Sequence, residues 1–440
     1  MPQRIPSPRG LPGWPRPTAR GAGFLIVAVM LFIAAPALGQ RALVFGASLC
    51  LALPLLALLL VAVRRPKLSV VRRFTPETAS VGTDCDVVLS VQNWAATPTP
   101  AAAWYDDAAR PLRPSDLGAL PSLPSFRSLE TDAPRIRTLR YVLDTPRRGR
   151  HSVGPFVLRI SDPFGLAVRD IRVGEPNPLV VTPATSVLSR GTFRLPGGDG
   201  QSLQSRRHAG SGEQDVIARK YQTGDSMRRV HWPATARYSE LMVRQDDQRN
   251  DHEAVVVLDS RRSSFAATPE SRGGEAVSEQ FEWAVSMAVS IGLHLLEEGY
   301  RTRLVQSAGP TMAAEDGGLI VGTTQVLMRG AALGLSDDVA RLDVRDVVPD
   351  SGMVSGELPP LFAVLAHSDA GDLLALARAA SLASSALAFI VLPATETTTP
   401  SWAGGVRSEL ERAGWAVRIA SVHENHADVW ESVGAERTAS

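Results

Sequence analysis

Two long apolar runs open the chain. Ala22–Leu38 and Ala42–Val63 hold 17 and 22 consecutive uncharged residues, and only Gly39-Gln40-Arg41 separates them. A helix of about 20 residues crosses the ~30 Å hydrocarbon core of a bilayer, so the pattern predicts a transmembrane helical hairpin over 22–63. A secretory signal would instead present one shorter apolar core followed by a small-residue cleavage site.

The pattern changes after the hairpin. From Lys67 to Leu188 the apolar residues come in short alternating or β-branched runs such as DCDVVLSVQNW, IRTLRYVLDT and HSVGPFVLRI, punctuated by Gly, Pro and Asp. Such runs predict a small antiparallel β-sandwich over 67–188. The Ala- and Pro-rich stretch Ala95–Pro134 breaks the alternation and reads as a surface excursion. SDPFGL, Ser161–Leu166, reads as a tight turn, because Pro presets φ and Gly tolerates the left-handed region. Gly197–Gly212, rich in Gly, Ser and Gln, reads as a linker.

After Asp251 short, wholly apolar runs alternate with helical periodicity: EAVVVLD, then Glu275–Tyr300, TRLVQSA, TTQVLMRGAALGL, LFAVLAHSD, GDLLALARAASLASS, ALAFIVLP, VRSELERAGW and AVRIASV. Strands buried on both faces read this way, and their alternation with helices predicts an α/β doubly wound domain over 251–422 with a parallel sheet. Residues 423–440 are left as a C-terminal tail. Ligands of such sheets sit beyond the carboxyl ends of the strands. That directs attention to Asp259 and the residues after it, and to His367-Ser368-Asp369.

Charge adds a direction to the hairpin. Arg4, Arg9, Arg16 and Arg20 precede it, Arg64, Arg65, Lys67, Arg72 and Arg73 follow it, and only Arg41 lies in its turn. The positive-inside rule then makes 1–21 a basic cytoplasmic N-terminus and predicts a multi-pass protein of the inner (plasma) membrane, with both termini and the soluble domains cytoplasmic. Overall, 46 basic residues nearly balance 45 acidic ones, so no global field recruits nucleic acid. Lys67 and Lys220 are the only lysines, a bias that makes arginine density alone a poor guide to function. Cys50 and Cys85 provide no disulfide framework.

Candidate chemistry is sparse. The sequence has no GxxxxGK[ST] phosphate loop, no strand-linked GxGxxG and no GxSxG elbow. His423-Glu424-Asn425-His426 lacks the spacing of the H-E-x-x-H zinc motif. Asp259-Ser260-Arg261-Arg262-Ser263 partly matches the Asp-x-Ser-x-Ser loop that holds Mg²⁺ in the von Willebrand factor A fold, through Asp259 and Ser263. Thr323 or Thr324 and Asp369 fall where that fold supplies further oxygen ligands. Arg261 stands at the middle ligand position, where a guanidinium has no lone pair to offer and repels a cation. A metal site made of Asp259, Ser263, Thr323 and Asp369 is therefore not expected, and no cofactor is assigned. A metal-dependent (Mg) adhesion module or enzyme using this loop is the alternative reading.

The densest chemistry lies within 197–250. Arg206–Arg249 holds nine basic and six acidic residues, with Tyr221, Trp232 and Tyr238 interleaved. The interspersed acids argue against nucleic acid. Gly224-Asp225 makes a turn with Asp225 as a cap, Pro233 starts a short helix ending at Arg237, and ELMVRQ is a strand. Trp232 reads as a buried anchor. The stretch is either a structural joint or a partner surface.

YQTGDSMRRVHWPATARYSELMVRQ resembles the signature of the bacterial family called domain of unknown function 58. The matching positions are Tyr221, Gly224, Asp225, Arg228 or Arg229, Trp232, Ala236, Arg237, Leu241 and Val243. RRGRHSVGPFVLRISDPFGL resembles that family's upstream stretch, and the membrane hairpin also fits. Pro233 departs from the usual Lys or Arg, as Arg261 does in the metal loop. The resemblance implies a von Willebrand factor A-like domain after the signature. It also implies a partner, a MoxR-type AAA ATPase, with roles in protein maturation or cell-envelope processes. The expectation is a non-catalytic, membrane-anchored interaction or scaffold protein. Its partners would be the lipid bilayer and the ATPase, met through Tyr221, Gly224, Asp225, Arg228, Arg229, Trp232 and Arg237.

Overall fold

The computed structural model describes residues 13–126, 136–191, 218–220, 232–238, 240–244, 252–265, 278–306, 319–336, 358–368, 370–396 and 398–438. They fall into two compact units that divide after Ala184.

In the first unit the two apolar runs form helices α1 (Ala19–Leu38) and α2 (Arg41–Val63). Gly39 turns the chain between them at φ +60°, a left-handed conformation that suits glycine. The residues buried along the hairpin are mostly small, among them Ala28, Ala35, Ala47 and Ala57, and small side chains let two helix backbones approach closely. Large apolar side chains point outward: Met30 is 64% exposed, Phe45 77% and Leu56 62%. Among the described residues these two helices are long and apolar enough to cross a membrane.

The rest of this unit is β-structure. A three-stranded sheet pairs β2 (Leu68–Thr75), β4 (Asp84–Asn93) and β7 (Ile136–Asp144). A seven-stranded sheet runs β1 (Arg16–Pro17), β9 (Ala167–Val173), β8 (Gly149–Ser161), β10 (Asn177–Thr182), β3 (Thr78–Ser80), with β5 (Ala102–Ala108) joined to β8 and β6 (Gly118–Leu120) to β5. Alternate residues of β4, including Val87, Leu89 and Val91, share one core with Phe156 and Leu158 of β8 and with Leu179 and Val181 of β10. This is the period-two pattern of strands with one apolar face.

Three expectations need correcting here. One pairing, β3 with β10, is parallel rather than antiparallel. Ala95–Pro134 is not an outer excursion in its described part, because Trp104, Leu112, Leu120 and Leu123 are all core residues. Isolated apolar residues between prolines make that contribution without any periodicity. Arg72, counted above with the membrane-flanking charges, is buried: its Nε and Nη2 donate to Asp106 at 2.8 and 2.5 Å. Arg64, Arg65, Lys67 and the exposed Arg73 carry the charge on that flank.

The second unit holds a six-stranded sheet in the order β15-β14-β13-β16-β17-β18. β13 (Glu253–Leu258), β14 (Arg301–Gln306), β16 (Pro360–Leu365), β17 (Ser385–Leu392) and β18 (Ala416–Ser421) are parallel, and β15 (Leu319–Ile320) is an antiparallel edge. The five parallel strands match the apolar runs read from the sequence, and β15 had no such run. Val256 and Leu258 face one layer, which includes α4 (Glu279–Glu297) and α5 (Thr323–Ala332). Val255 and Val257 face α6 (Ala370–Ala380) and α7 (Ser401–Arg412) on the other side. The stretch expected to be a tail is mostly helix α8 (His426–Thr438), and its Trp430 is 1% exposed in the core. β11 (Ala218–Lys220), α3 (Trp232–Tyr238) and β12 (Met242–Arg244) form a small separate element in which β11 and β12 pair antiparallel.

Candidate functional site

The chain leaves β13, builds β14 on one side of it, and then returns to place β16 on the other. The strand order reverses there. The crevice beyond the carboxyl ends of β13 and β16 is the switch point where open α/β sheets keep their ligands. Asp259 follows β13 directly, and its backbone N–H donates to Val364 O of β16 at 3.0 Å. The loop after it is pinned from both sides. Ser336 N donates to Ser260 O, Arg262 N donates to Ser336 O, and His367 N donates to Ser264 O, at 2.8, 2.9 and 3.1 Å.

Arg261 folds back into this crevice. Its Nε donates to Asp259 Oδ1 at 3.1 Å and its Nη2 to Oδ2 at 3.0 Å, a forked pair. The same guanidinium reaches through Nη1 to Asp372 Oδ2, from the first turn of α6. All three residues are buried, with Asp259 and Asp372 each 1% exposed and Arg261 6%. Burial alone would lower the Arg261 pKa. The hydrogen bonds and charges of Asp259 and Asp372 outweigh that and leave it raised, so the side chain stays a cation.

The residues present do not fit a divalent ion, because the internal cation Arg261 is bonded to both buried carboxylates. Of the metal-ligand candidates, Ser263 and Thr323 are exposed, while Ser260 and Ser264 are the buried hydroxyls of the loop. Asp369 lies outside the described residues. Among the described residues no group of three or more His, Cys, Asp or Glu side chains could hold a metal. The sequence reading found Asp259 and Arg261 but missed Asp372, whose only sequence signal is an acid in the first turn of a helix following a buried strand.

The two C-terminal histidines have separate surroundings. His426 stacks on Trp283 with ring centroids 4.5 Å apart, and its Nε2 lies 3.1 Å from Trp283 O. Burial lowers its pKa, only partly offset by that bond. His423 lines a hollow of about 760 Å³ beyond β17 and β18, beside Arg407, Arg418, Glu411 and Glu424. Arg407 pairs with Glu411 at 2.7 Å and Arg418 with Glu424 at 3.7 Å.

The signature stretch is described only in part. Tyr221, Gly224, Asp225, Arg228 and Arg229 lie outside the described residues. α3 is tied to β12 by Thr235, whose Oγ1 accepts from Met242 N at 3.0 Å. Arg237 is exposed at the end of α3. Trp232 is not the buried anchor that its size suggests: it is 65% exposed. On a helix of seven residues it is a surface aromatic.

Residues 217–314 match the family described as protein of unknown function DUF58. The DUF58 match takes in β11, α3, β12, the Asp259–Arg261 loop and α4, so the signature element and the first part of the switch-point site fall within it. No curated protein matches the chain in sequence. Among solved structures, the CARDB domain of a Pyrococcus furiosus protein in complex with di-metal ions is 12% identical, over 26% of this chain and 88% of that one, with a TM-score of 0.19. The PilB minor pilin of Streptococcus sanguinis is 8% identical, over 85% of this chain and 78% of that one, with a TM-score of 0.23. Likenesses this weak carry no argument about fold or function.

Proposed function

We propose that the chain is a membrane-anchored cytoplasmic interaction protein that works with a MoxR-type AAA ATPase in protein maturation or cell-envelope processes. In this reading α1 and α2 cross the inner membrane as a hairpin, the β-structure is a sandwich, and the parallel sheet is a von Willebrand factor A-like domain. The ATPase comes from the family resemblance. The observation that carries the interaction reading is the exposure of Trp232. Tryptophan is enriched at the energetic centres of interfaces, and the helix of the signature stretch that exposes it also exposes Arg237. The closed Asp259–Arg261–Asp372 cluster supports the same side of the choice, since it leaves no open coordination position at the switch point.

The membrane reading is supported by the outward apolar side chains of α1 and α2. The Arg169 guanidinium donates to Gly13 O before the hairpin, at 2.6 Å, and to Ala62 O at its end, at 2.8 Å. That supports placing both flanks of the hairpin on one side of the bilayer.

The test is co-purification of the ATPase with the full-length chain from detergent-solubilised membranes. Trp232→Ala should abolish co-purification while leaving the melting temperature unchanged, because an exposed side chain contributes little to stability. Retention of the ATPase by that variant, or its absence from the wild-type preparation, overturns the reading.

A further inference from the structure

The SDPFGL turn belongs to neither site described above, and it is tightly built. The Asp162 carboxylate accepts from Phe164 N at 2.9 Å and from Ala167 N at 2.6 Å, and Gly165 sits at φ +66°. The tip of the turn is Phe164, 69% exposed. The bonds of Asp162 hold this large aromatic out from the fold.

The turn is fastened to the hairpin at a definite height. Thr18, the N-cap of α1, donates from its backbone N to Leu166 O at 2.9 Å and from Oγ1 to Gly165 O at 2.6 Å. Arg16 and Pro17 pair with Val168 and Ala167 as a strand. Leu166 and Ala167 are buried against Ala57 and Val61 of α2. Ala57 lies six residues before the end of α2 at Val63, which at 1.5 Å per residue is about 9 Å into the helix. The turn therefore lies at the level where the basic flank gives way to the apolar spans. Trp14, 73% exposed, is at the same end, just after the Gly13 carbonyl that Arg169 holds.

We propose that Phe164, presented by the Asp162–Leu166 turn beside the first turn of α1, is seated in the headgroup–acyl boundary of the bilayer, with Trp14 as a second interfacial anchor. The occupant of this surface is lipid, because the turn that carries Phe164 is bonded to the N-cap of α1 and packs Leu166 and Ala167 on α2, and large apolar side chains of both helices point outward. Aromatic side chains at the ends of spanning helices favour this depth. Arg20 is close by, since a Cβ built on Gly165 would lie 3.8 Å from its Nη1, and a cation there suits anionic headgroups. The consequence is that the β-structure is held against the membrane rather than tethered below it. This inference rests on the membrane reading of the hairpin.

The experiment is spin-label depth measurement on the full-length chain in vesicles of phosphatidylcholine with a minority of phosphatidylglycerol. It uses a Cys50→Ala, Cys85→Ala background whose melting is first matched to wild type. Labels go at Phe164→Cys, at Met30→Cys in the middle of α1, and at Val142→Cys on β7, which is 59% exposed. The readout is the ratio of oxygen to nickel-chelate accessibility. The expected result is a ratio at position 164 several-fold above that at 142 and below that at 30. A ratio at 164 equal to that at 142, with position 30 still lipid-like, overturns this proposal alone. A water-like ratio at position 30 overturns the membrane reading itself.

Discussion

Arg261 and Asp259, two residues apart in sequence, form a forked ion pair inside the switch-point crevice, and Asp372 closes the guanidinium from the opposite side. The arginine thus supplies the positive charge that two buried carboxylates require. Removing one partner of a buried pair costs about 3–5 kcal/mol, because the other charge is left without compensation. Arg261→Ser should therefore lower the melting temperature of the full-length protein in detergent. Millimolar Mg²⁺ should restore part of that loss in the variant and leave the wild type unchanged. A Mg²⁺ titration of the wild type that is abolished by Asp259→Ala would show that the ion, and not Arg261, is the resident cation.

A second buried pair holds the β-structure together. Asp106, 0% exposed, accepts from Arg72 twice and from the Tyr141 hydroxyl at 2.6 Å, and Arg72 Nη1 also donates to Asn177 Oδ1 at 2.5 Å. Burial, then the Asp106 charge, pushes the Tyr141 pKa far above its ordinary value, so the hydroxyl remains a donor. Asp106→Ala strands the arginine and should cost about 3–5 kcal/mol. Tyr141→Phe loses one hydrogen bond to a charged group and should cost about 1.5–3 kcal/mol. Chemical denaturation of both variants tests the order; equal losses would mean that Tyr141 and Arg72 hold Asp106 to the same degree.

The parallel sheet was legible in the sequence because strands buried on both faces are continuous apolar runs, as in EAVVVL and ALAFIVL. The position of the switch-point site followed from that alternation. Asp372 was not legible, since only the tertiary approach of α6 to the loop brings it to Arg261; the sequence pointed three residues earlier, to Asp369. α8 was missed for a different reason. Its inward contacts at Val429, Trp430 and Val433 stand among Asp, Glu and Ser and form no extended stripe. The bulk of Trp232 suggests burial, but the short helix that carries it leaves it at the surface.

Two histidines, buried His294 and half-buried His426, give the second unit an acid limit. Burial lowers the pKa of both His294 and His426. Glu297 and Glu298 oppose that shift at His294 and Arg190 adds to it. A histidine whose folded pKa lies below its unfolded value of about 6.5 takes up its proton more readily when unfolded. The stability tied to it is complete above about pH 6.5 and is lost as the pH falls toward the folded pKa. The melting midpoint should thus fall between about pH 7 and pH 5. His294→Leu, which cannot titrate, should flatten part of that slope. A midpoint independent of pH over this range, in wild type and variant alike, would exclude the histidines as its cause.

Gly21 lies in the first turn of α1, and a Cβ placed on it would collide with the backbone carbonyl oxygen of Leu166. That oxygen is also the acceptor for Thr18 N, so it cannot swing aside without giving up the bond. In an isolated helix, alanine is favoured over glycine by about 1 kcal/mol. At this position the added methyl overpacks a contact between backbones, at a cost of about 1–3 kcal/mol, and loosens the two bonds from Thr18, so the net sign reverses. Gly21→Ala should lower the melting temperature of the full-length protein in detergent. Gly23→Ala is the matched control, since nothing lies within 4 Å of its Cβ position, and it should be neutral or stabilising. If the two variants melt alike, Leu166 is not seated on α1, and the fixed height of the Phe164 turn above the hairpin loses its basis.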